Sequence, residues 1–178
     1  SDVEKLLEDV RRMTEEHKEL IKELNERVER IVRKVVEDSK KLNDELREIV
    51  KRVEDESRNN GDKDKLLKEL RDVVRELKKR HDDLLRDAER VIEEAKRRHD
   101  ELLKHNKELI DDVKRRLQET EEAARVREDL DRLHEELERF VRESKKHLDE
   151  MLKELRRRLE RSKEEIDRLV KEAEEKLR

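Results

Sequence analysis

The stretch Arg58-Asn59-Asn60-Gly61-Asp62 decides how this chain folds. Gly61 is the only glycine and there is no proline, whereas average usage in 178 residues would give roughly 12 and roughly 9. Asn and Gly tolerate the left-handed backbone that ends helices, and Asp62 or Asp64 is suited to cap a helix that follows. The stretch therefore reads as a tight turn between two helices. Turn punctuation is so scarce elsewhere that the remaining elements must be few and long.

Upstream of the turn, Val3, Leu6, Val10, Met13, His17, Leu20, Leu24, Val28, Ile31, Val35, Ser39, Leu42, Leu46, Ile49, Val53 and Ser57 recur at steps of three or four. That spacing buries one face of a helix. Doublets such as Leu20-Ile21 and Ile49-Val50 widen the stripe beyond a two-stranded seam, toward a bundle of three or more helices. Ser1-Asp2-Val3-Glu4 reads as the cap and acidic first turn of this helix.

Downstream, Leu66, Leu70, Val73, Leu77, His81, Leu84, Ala88, Val91, Ala95, His99, Leu102, Asn106, Leu109, Val113 and Leu117 form a second stripe. A third begins at Ala123, Val126 and Leu130 and continues to Leu177. The two are out of phase by one residue. Lys114-Arg115-Arg116 suits a helix C-terminus, and Thr120 before Glu121-Glu122 suits an N-terminus, which places a break near 118–120. The alternative is one helix from about 62 to 178, but half its stripe would then lack a partner within the chain. The expected fold is all-α: a long antiparallel three-helix bundle with coiled-coil-like packing, helices about 2–58, 62–117 and 121–177, forming a single domain over 1–178. Each helix of about 55 residues would run roughly 85 Å.

Composition narrows function. Charged residues are 58% of the chain and apolar ones 30%, so any core is a stripe. The charges nearly cancel, 50 basic against 54 acidic, and the apolar residues are periodic, which argues against a disordered chain. There is no Cys, hence no disulfide, thiolate nucleophile or cysteine zinc site. Gly-rich phosphate loops and the hydrolase Gly-x-Ser-x-Gly elbow are impossible with one glycine, and the EF-hand loop is absent. Short basic runs such as Arg156-Arg157-Arg158, with Phe140 as the sole aromatic, do not make a nucleic-acid surface. No apolar stretch is long enough to span a membrane, and the N-terminus does not read as a signal or transit peptide. The expectation is a soluble chain with no native compartment, expressed recombinantly in the cytoplasm. No enzyme activity, cofactor or metal is expected.

The residues that break the stripes are polar. Folding back at the first turn pairs numbers on helices one and two that sum to about 121, and folding back near 119 pairs those on helices two and three that sum to about 238. This gathers three layers: His17 with His105, Asn106 and His134; Asn25 with His99 and Ser144; and Ser39 with Asn43, His81 and Ser162. Three readings compete. Each layer is a hydrogen-bond network that fixes helix pairing, because a wrong pairing strands buried polar groups. Alternatively the histidines hold a metal, although neither His-x-x-x-His nor the paired Glu-x-x-His of bundle metal sites is present. Or they form a pH switch, since burial disfavours the imidazolium.

Taken together, the matched helices, the Glu/Lys/Arg surfaces, the lack of Cys, Trp, Tyr and Pro, and the His/Asn/Ser layers resemble de novo designed, parametrically generated helical bundles with buried hydrogen-bond networks. The resemblance covers the whole chain. It implies no evolved activity and a structural or scaffold purpose. No partner is then required and a monomer is expected. The alternative is one chain of a designed oligomer or heterodimer, completed by a partner helix or by self-association and responsive to pH through its core histidines. A natural spectrin-like or apolipoprotein-like spacer is a third reading, but spectrin-type repeats carry core aromatics that this chain lacks.

Overall fold

A computed structural model describes residues 1–178 and contains three helices packed against one another: α1 (Asp2–Arg58), α2 (Lys63–Arg116) and α3 (Glu121–Leu177). The chain is a three-helix bundle, as the stripes require, and the second break is real.

The first turn is built from side-chain and backbone caps. Asn60 takes the left-handed conformation (φ 65°), while Gly61 does not. The Gly61 amide donates to the Glu56 carbonyl at 2.9 Å, satisfying an end-of-helix acceptor in the manner of a Schellman motif. Glycine is needed at 61 for space: a Cβ there would lie 2.8 Å from the Glu56 carbonyl oxygen. Asp62 is the cap of α2, its carboxylate accepting from the amides of Asp64 (3.1 Å) and Lys65 (3.4 Å). At the second turn Thr120 caps α3 by accepting from the Ala123 amide at 3.0 Å. The Arg127 guanidinium donates to the carbonyls of Lys114 (3.1 Å) and Leu117 (3.2 Å), which closes the end of α2 without a glycine.

The helices form two compact units, Ser1–Glu29 with Val91–Glu150, and Arg30–Arg90 with Met151–Arg178. In the first unit Leu7, Val10, Ile110, Val113, Leu117, Ala123, Val126 and Leu130 make one apolar cluster, and Ile21, Leu102, Leu137 and Val141 another. In the second, Leu42, Leu46, Leu70, Leu77, Ile166 and Ala173 form the largest cluster, with Val35, Ala88, Leu155 and Leu159 beside Val32 and Leu84 in the next. Within both units α2 runs antiparallel to α1 and α3, as pairs such as Asn106–Thr14 and Arg80–Glu45, or Lys114–Asp131 and Lys78–Asp167, require.

Periodicity locates the α1 stripe but not its centre. Ile21 is fully buried while Leu20, its neighbour in the doublet, is 43% exposed, and Ile31 is 37% exposed. Met13 likewise yields the buried position to Thr14. At Leu7, Thr14 and Ile21 the buried position lies one residue beyond the expected one, whereas Val10, His17, Val28, Val35, Ser39, Leu42, Leu46 and Val53 are buried as the stripe placed them.

Candidate functional site

Three polar networks lie in the core, and two follow one recipe. In the first unit the His99 Nδ1–H donates to the Ala95 carbonyl one turn back, at 2.6 Å. A carbonyl only accepts, so Nε2 carries the lone pair and takes the Ser144 hydroxyl proton at 2.6 Å. Ser144 Oγ in turn accepts from the Asn25 amide at 2.7 Å. Each helix supplies one residue, and the bonds run in one direction from Asn25 to the Ala95 carbonyl.

The second unit repeats the arrangement. His81 Nδ1–H donates to the Leu77 carbonyl (2.8 Å), Ser162 Oγ–H donates to His81 Nε2 (2.9 Å), and Asn43 Nδ2 donates to Ser162 Oγ (2.8 Å). Ser39 adds its hydroxyl to Ser162 at 2.8 Å, leaving the Ser162 oxygen saturated with one donated and two accepted bonds. His81, His99, Asn43 and Ser39 are all nearly or fully buried.

The two networks are offset by 18 residues on every helix: Asn25 and Asn43, His81 and His99, Ser144 and Ser162. Eighteen residues are five turns of a straight α-helix at 3.6 residues per turn. The flanking ion pairs repeat too. Lys145–Asp100 (2.9 Å) corresponds to Lys163–Asp82, and Lys96–Asp149 (2.8 Å) to Lys78–Asp167. The hydrogen bonds to Asp149 and Asp82 hold the Lys96 and Lys163 ammonium groups above the usual lysine range. One pair departs from the pattern: His147 lies 3.4 Å from Glu29, whereas the equivalent positions hold Glu165 and Arg47, an ion pair with the acid on the other helix. The repeat was open to a self-comparison at a step of 18, which would have matched Arg80-His81-Asp82 to Arg98-His99-Asp100.

The third network differs from expectation. Asn106, fully buried, donates to Thr14 Oγ1 and to His17 Nδ1, both at 3.1 Å, and Thr14 passes its proton to the Val10 carbonyl at 2.8 Å. His105 is exposed and packs edge-on to His17, ring centroids 5.7 Å apart. His134 does not join. Its Nε2 contacts Glu138 at 2.6 Å and its Nδ1 is buried without a partner. The reason is register. Pairs between α2 and α3, such as Lys114–Asp131 and Lys96–Asp149, have numbers summing to 245 rather than about 238, which carries His134 one to two turns away from Asn106. Thr14 was hidden beside Met13 in the stripe.

Burial pushes His17, His81 and His99 below the usual imidazole range. Besides desolvation, His105 lowers His17 and Glu16 raises it. For His81 the Leu77 hydrogen bond raises, Lys163 lowers and Asp82 raises. For His99 the Ala95 hydrogen bond and Asp100 raise, while Lys145 lowers. Neutral imidazoles suit the directions of the hydrogen bonds. One cost remains: the side-chain carbonyls of Asn25, Asn43 and Asn106 are buried without a donor.

No group of three or more His, Asp or Glu side chains is placed to hold a metal, and no helix is long and apolar enough to cross a membrane. The chain is similar to a solved structure described as a computationally designed three-helix bundle: TM-score 0.65 and 22% identity, covering 99% of this chain and 87% of that one. At that identity the likeness speaks for the fold. No protein-family model and no curated protein matches the sequence.

Proposed function

We propose that this chain is a designed scaffold without biochemical activity of its own, and that its buried networks specify which helix faces meet. The observation that carries this reading is the repeated Asn–Ser–His relay at a step of 18 residues on all three helices. A step of 18 residues is five whole turns of an ideal helix, so the same Asn–Ser–His pattern is written twice in the sequence. The relay also has pairing logic. Once Nδ1–H is committed to its own helix, Nε2 needs a donor from α3, and that serine accepts a donor from α1. Rotating any helix strands at least one buried group, at about 1–3 kcal/mol each.

The chain then acts as a monomer. Its exposed large apolar side chains, Leu20 and Ile31, are single and partly covered, which does not make a docking patch. Sedimentation equilibrium should return the chain mass of 21.9 kDa. A stable multiple would favour the oligomer reading. Replacing Asn25 and Asn43 by Leu tests the networks. Stability should hold or rise, while amide spectra should broaden or double as alternative packings become accessible. A single sharp spectrum at unchanged stability would remove the specificity argument. The lowered pKa values of His17, His81 and His99 support a second reading, a pairing module that loosens in acid.

A further inference from the structure

The third network leaves one imidazole edge open to the surface. His17 on α1 accepts the Asn106 amide proton at Nδ1. Its Nε2 makes no hydrogen bond, yet it is not among the sealed, unpaired polar atoms of the core, which are Oδ1 of Asn25, Asn43 and Asn106 and Nδ1 of His134. The small exposed part of His17, 6% of the residue, therefore includes Nε2. His105 on α2 stands edge-on to this ring, with centroids 5.7 Å apart and planes at 70°. It is exposed and makes no hydrogen bond that would fix its ring. The pair stands outside the 18-residue repeat, because the corresponding positions in the second unit hold Val35 and Asp87.

We infer that His17 and His105 together bind one divalent late transition-metal ion of the Zn, Cu or Ni class, one nitrogen from each ring, with water in the remaining positions. Imidazole nitrogens hold such ions at about 2.0–2.1 Å, which puts the metal about 3.2 Å from each ring centroid. Two rings on one tetrahedral ion then have centroids about 5.2 Å apart, and about 6.4 Å is the limit. The observed 5.7 Å lies inside that range, and a small turn of the exposed His105 aims its nitrogen at the ion. Burial, and after it His105, push His17 below the ordinary imidazole range, so its ring is neutral and ready to ligate at pH 7.5. With Nδ1 accepting from Asn106, neutral His17 carries its proton on Nε2. An ion at Nε2 displaces that proton while Nδ1 gains one, so the ring changes tautomer and stays neutral. Asn106 answers by turning its amide, and Oδ1, which has no donor in the free chain, accepts from Nδ1–H. The turn leaves Nδ2 unpaired in its place, one buried atom exchanged for another, and the Thr14 hydroxyl follows by turning its proton from the Val10 carbonyl to Oδ1. With no third side-chain ligand in reach, the site is a two-point clamp between α1 and α2. This goes beyond the scaffold reading and stands or falls separately from it.

The probe is zinc chloride, titrated at pH 7.5 into the whole isotope-labelled chain in a chelator-free buffer and followed by imidazole and amide NMR. Saturable shifts centred on His17, His105 and the Asn106 side-chain amide are expected, with the His17 ring nitrogens reporting the change of tautomer. Two ligands supply about half the free energy of a four-ligand site, which sets the Kd between about 1 and 200 µM. Saturating zinc should raise the thermal midpoint, because the clamp exists only while α1 and α2 are packed. His105→Gln, at an exposed position that leaves the core untouched, should weaken binding at least about tenfold, and His17→Gln should do the same. His134→Gln and His147→Gln, which remove the two histidines already beside carboxylates, should leave the Kd unchanged. The inference is overturned if no saturable shift is seen up to about 1 mM zinc, if His105→Gln keeps the parent Kd, or if the shifts centre on His134 and Glu138 or on His147 and Glu29.

Discussion

Lowering the pH from about 7.5 to about 5.0 perturbs chiefly imidazoles, because most carboxylates titrate near 4. His17, His81 and His99 have folded-state pKa values below the ordinary 6.5, with burial as the largest cause. In this window the unfolded chain therefore binds more protons than the folded one. Stability contributed by these groups is fully present above about pH 6.5. It falls as the pH drops below that value, until the folded imidazoles themselves protonate. Each histidine costs at most about 1.4 kcal/mol per pH unit. Over the roughly 1.5 units below 6.5 that is at most about 2 kcal/mol each, or about 6 kcal/mol for the three.

Protonation also opposes the networks directly. Nε2–H would confront the Ser144 or Ser162 proton, forcing the hydroxyl to turn and the asparagine to present its oxygen. That reorientation offers the buried Asn Oδ1 atoms a donor, so it moderates the loss and the figure is an upper bound. Guanidinium chloride unfolding at fixed salt, read by far-UV circular dichroism at both pH values, measures the difference. In a His81→Leu/His99→Leu variant only His17 of the three remains, and the pH-dependent loss should shrink. Equal unfolding free energies at the two pH values in the parent chain would refute the reasoning.

Three further outcomes follow from named contacts. Leu155→Ala empties a fully buried position in the Val35–Ala88–Leu159 cluster and should cost about 2–5 kcal/mol by chemical denaturation, more than Leu84→Ala, which starts half-buried. Gly61→Ala pushes a methyl against the Glu56 carbonyl and should cost about 1–3 kcal/mol, whereas Asn60→Gly, at the left-handed position, should be neutral or slightly stabilising; thermal melts separate the two. Arg127→Ala frees the Lys114 and Leu117 carbonyls, and hydrogen exchange should accelerate at the end of α2 with a global loss of about 1 kcal/mol.

Much of the fold is legible because helices announce themselves locally. A lone Gly, a one-residue phase slip between Leu117 and Ala123, and caps at Asp62 and Thr120 bound all three helices. The rest depends on contacts that sequence distance conceals. Arg127 closes a helix that ended more than ten residues earlier, and nothing in its own neighbourhood signals that. Doublets such as Leu20-Ile21 leave the rotation of α1 ambiguous by one residue, about 100° of helix. Counting from the turns gathers Asn25 with His99 and Ser144, and Ser39, Asn43, His81 and Ser162, because neighbouring positions a turn apart absorb small errors. The same counting fails for His134, where α2 and α3 are paired about a point beyond the turn itself.

The Asn60-Gly61 turn has a chemical lifetime as well as a shape. An Asn-Gly peptide is the sequence most prone to deamidation, because an unhindered glycine amide nitrogen attacks the asparagine side chain and closes a succinimide. Here that nitrogen is bonded to the Glu56 carbonyl, so the reaction must wait for the end of α1 to fray. Slow conversion to aspartate or isoaspartate would insert a charge, or an extra backbone carbon, into the tightest bend of the chain. The hydrogen bond that ends α1 is thus also what shields Asn60 from conversion.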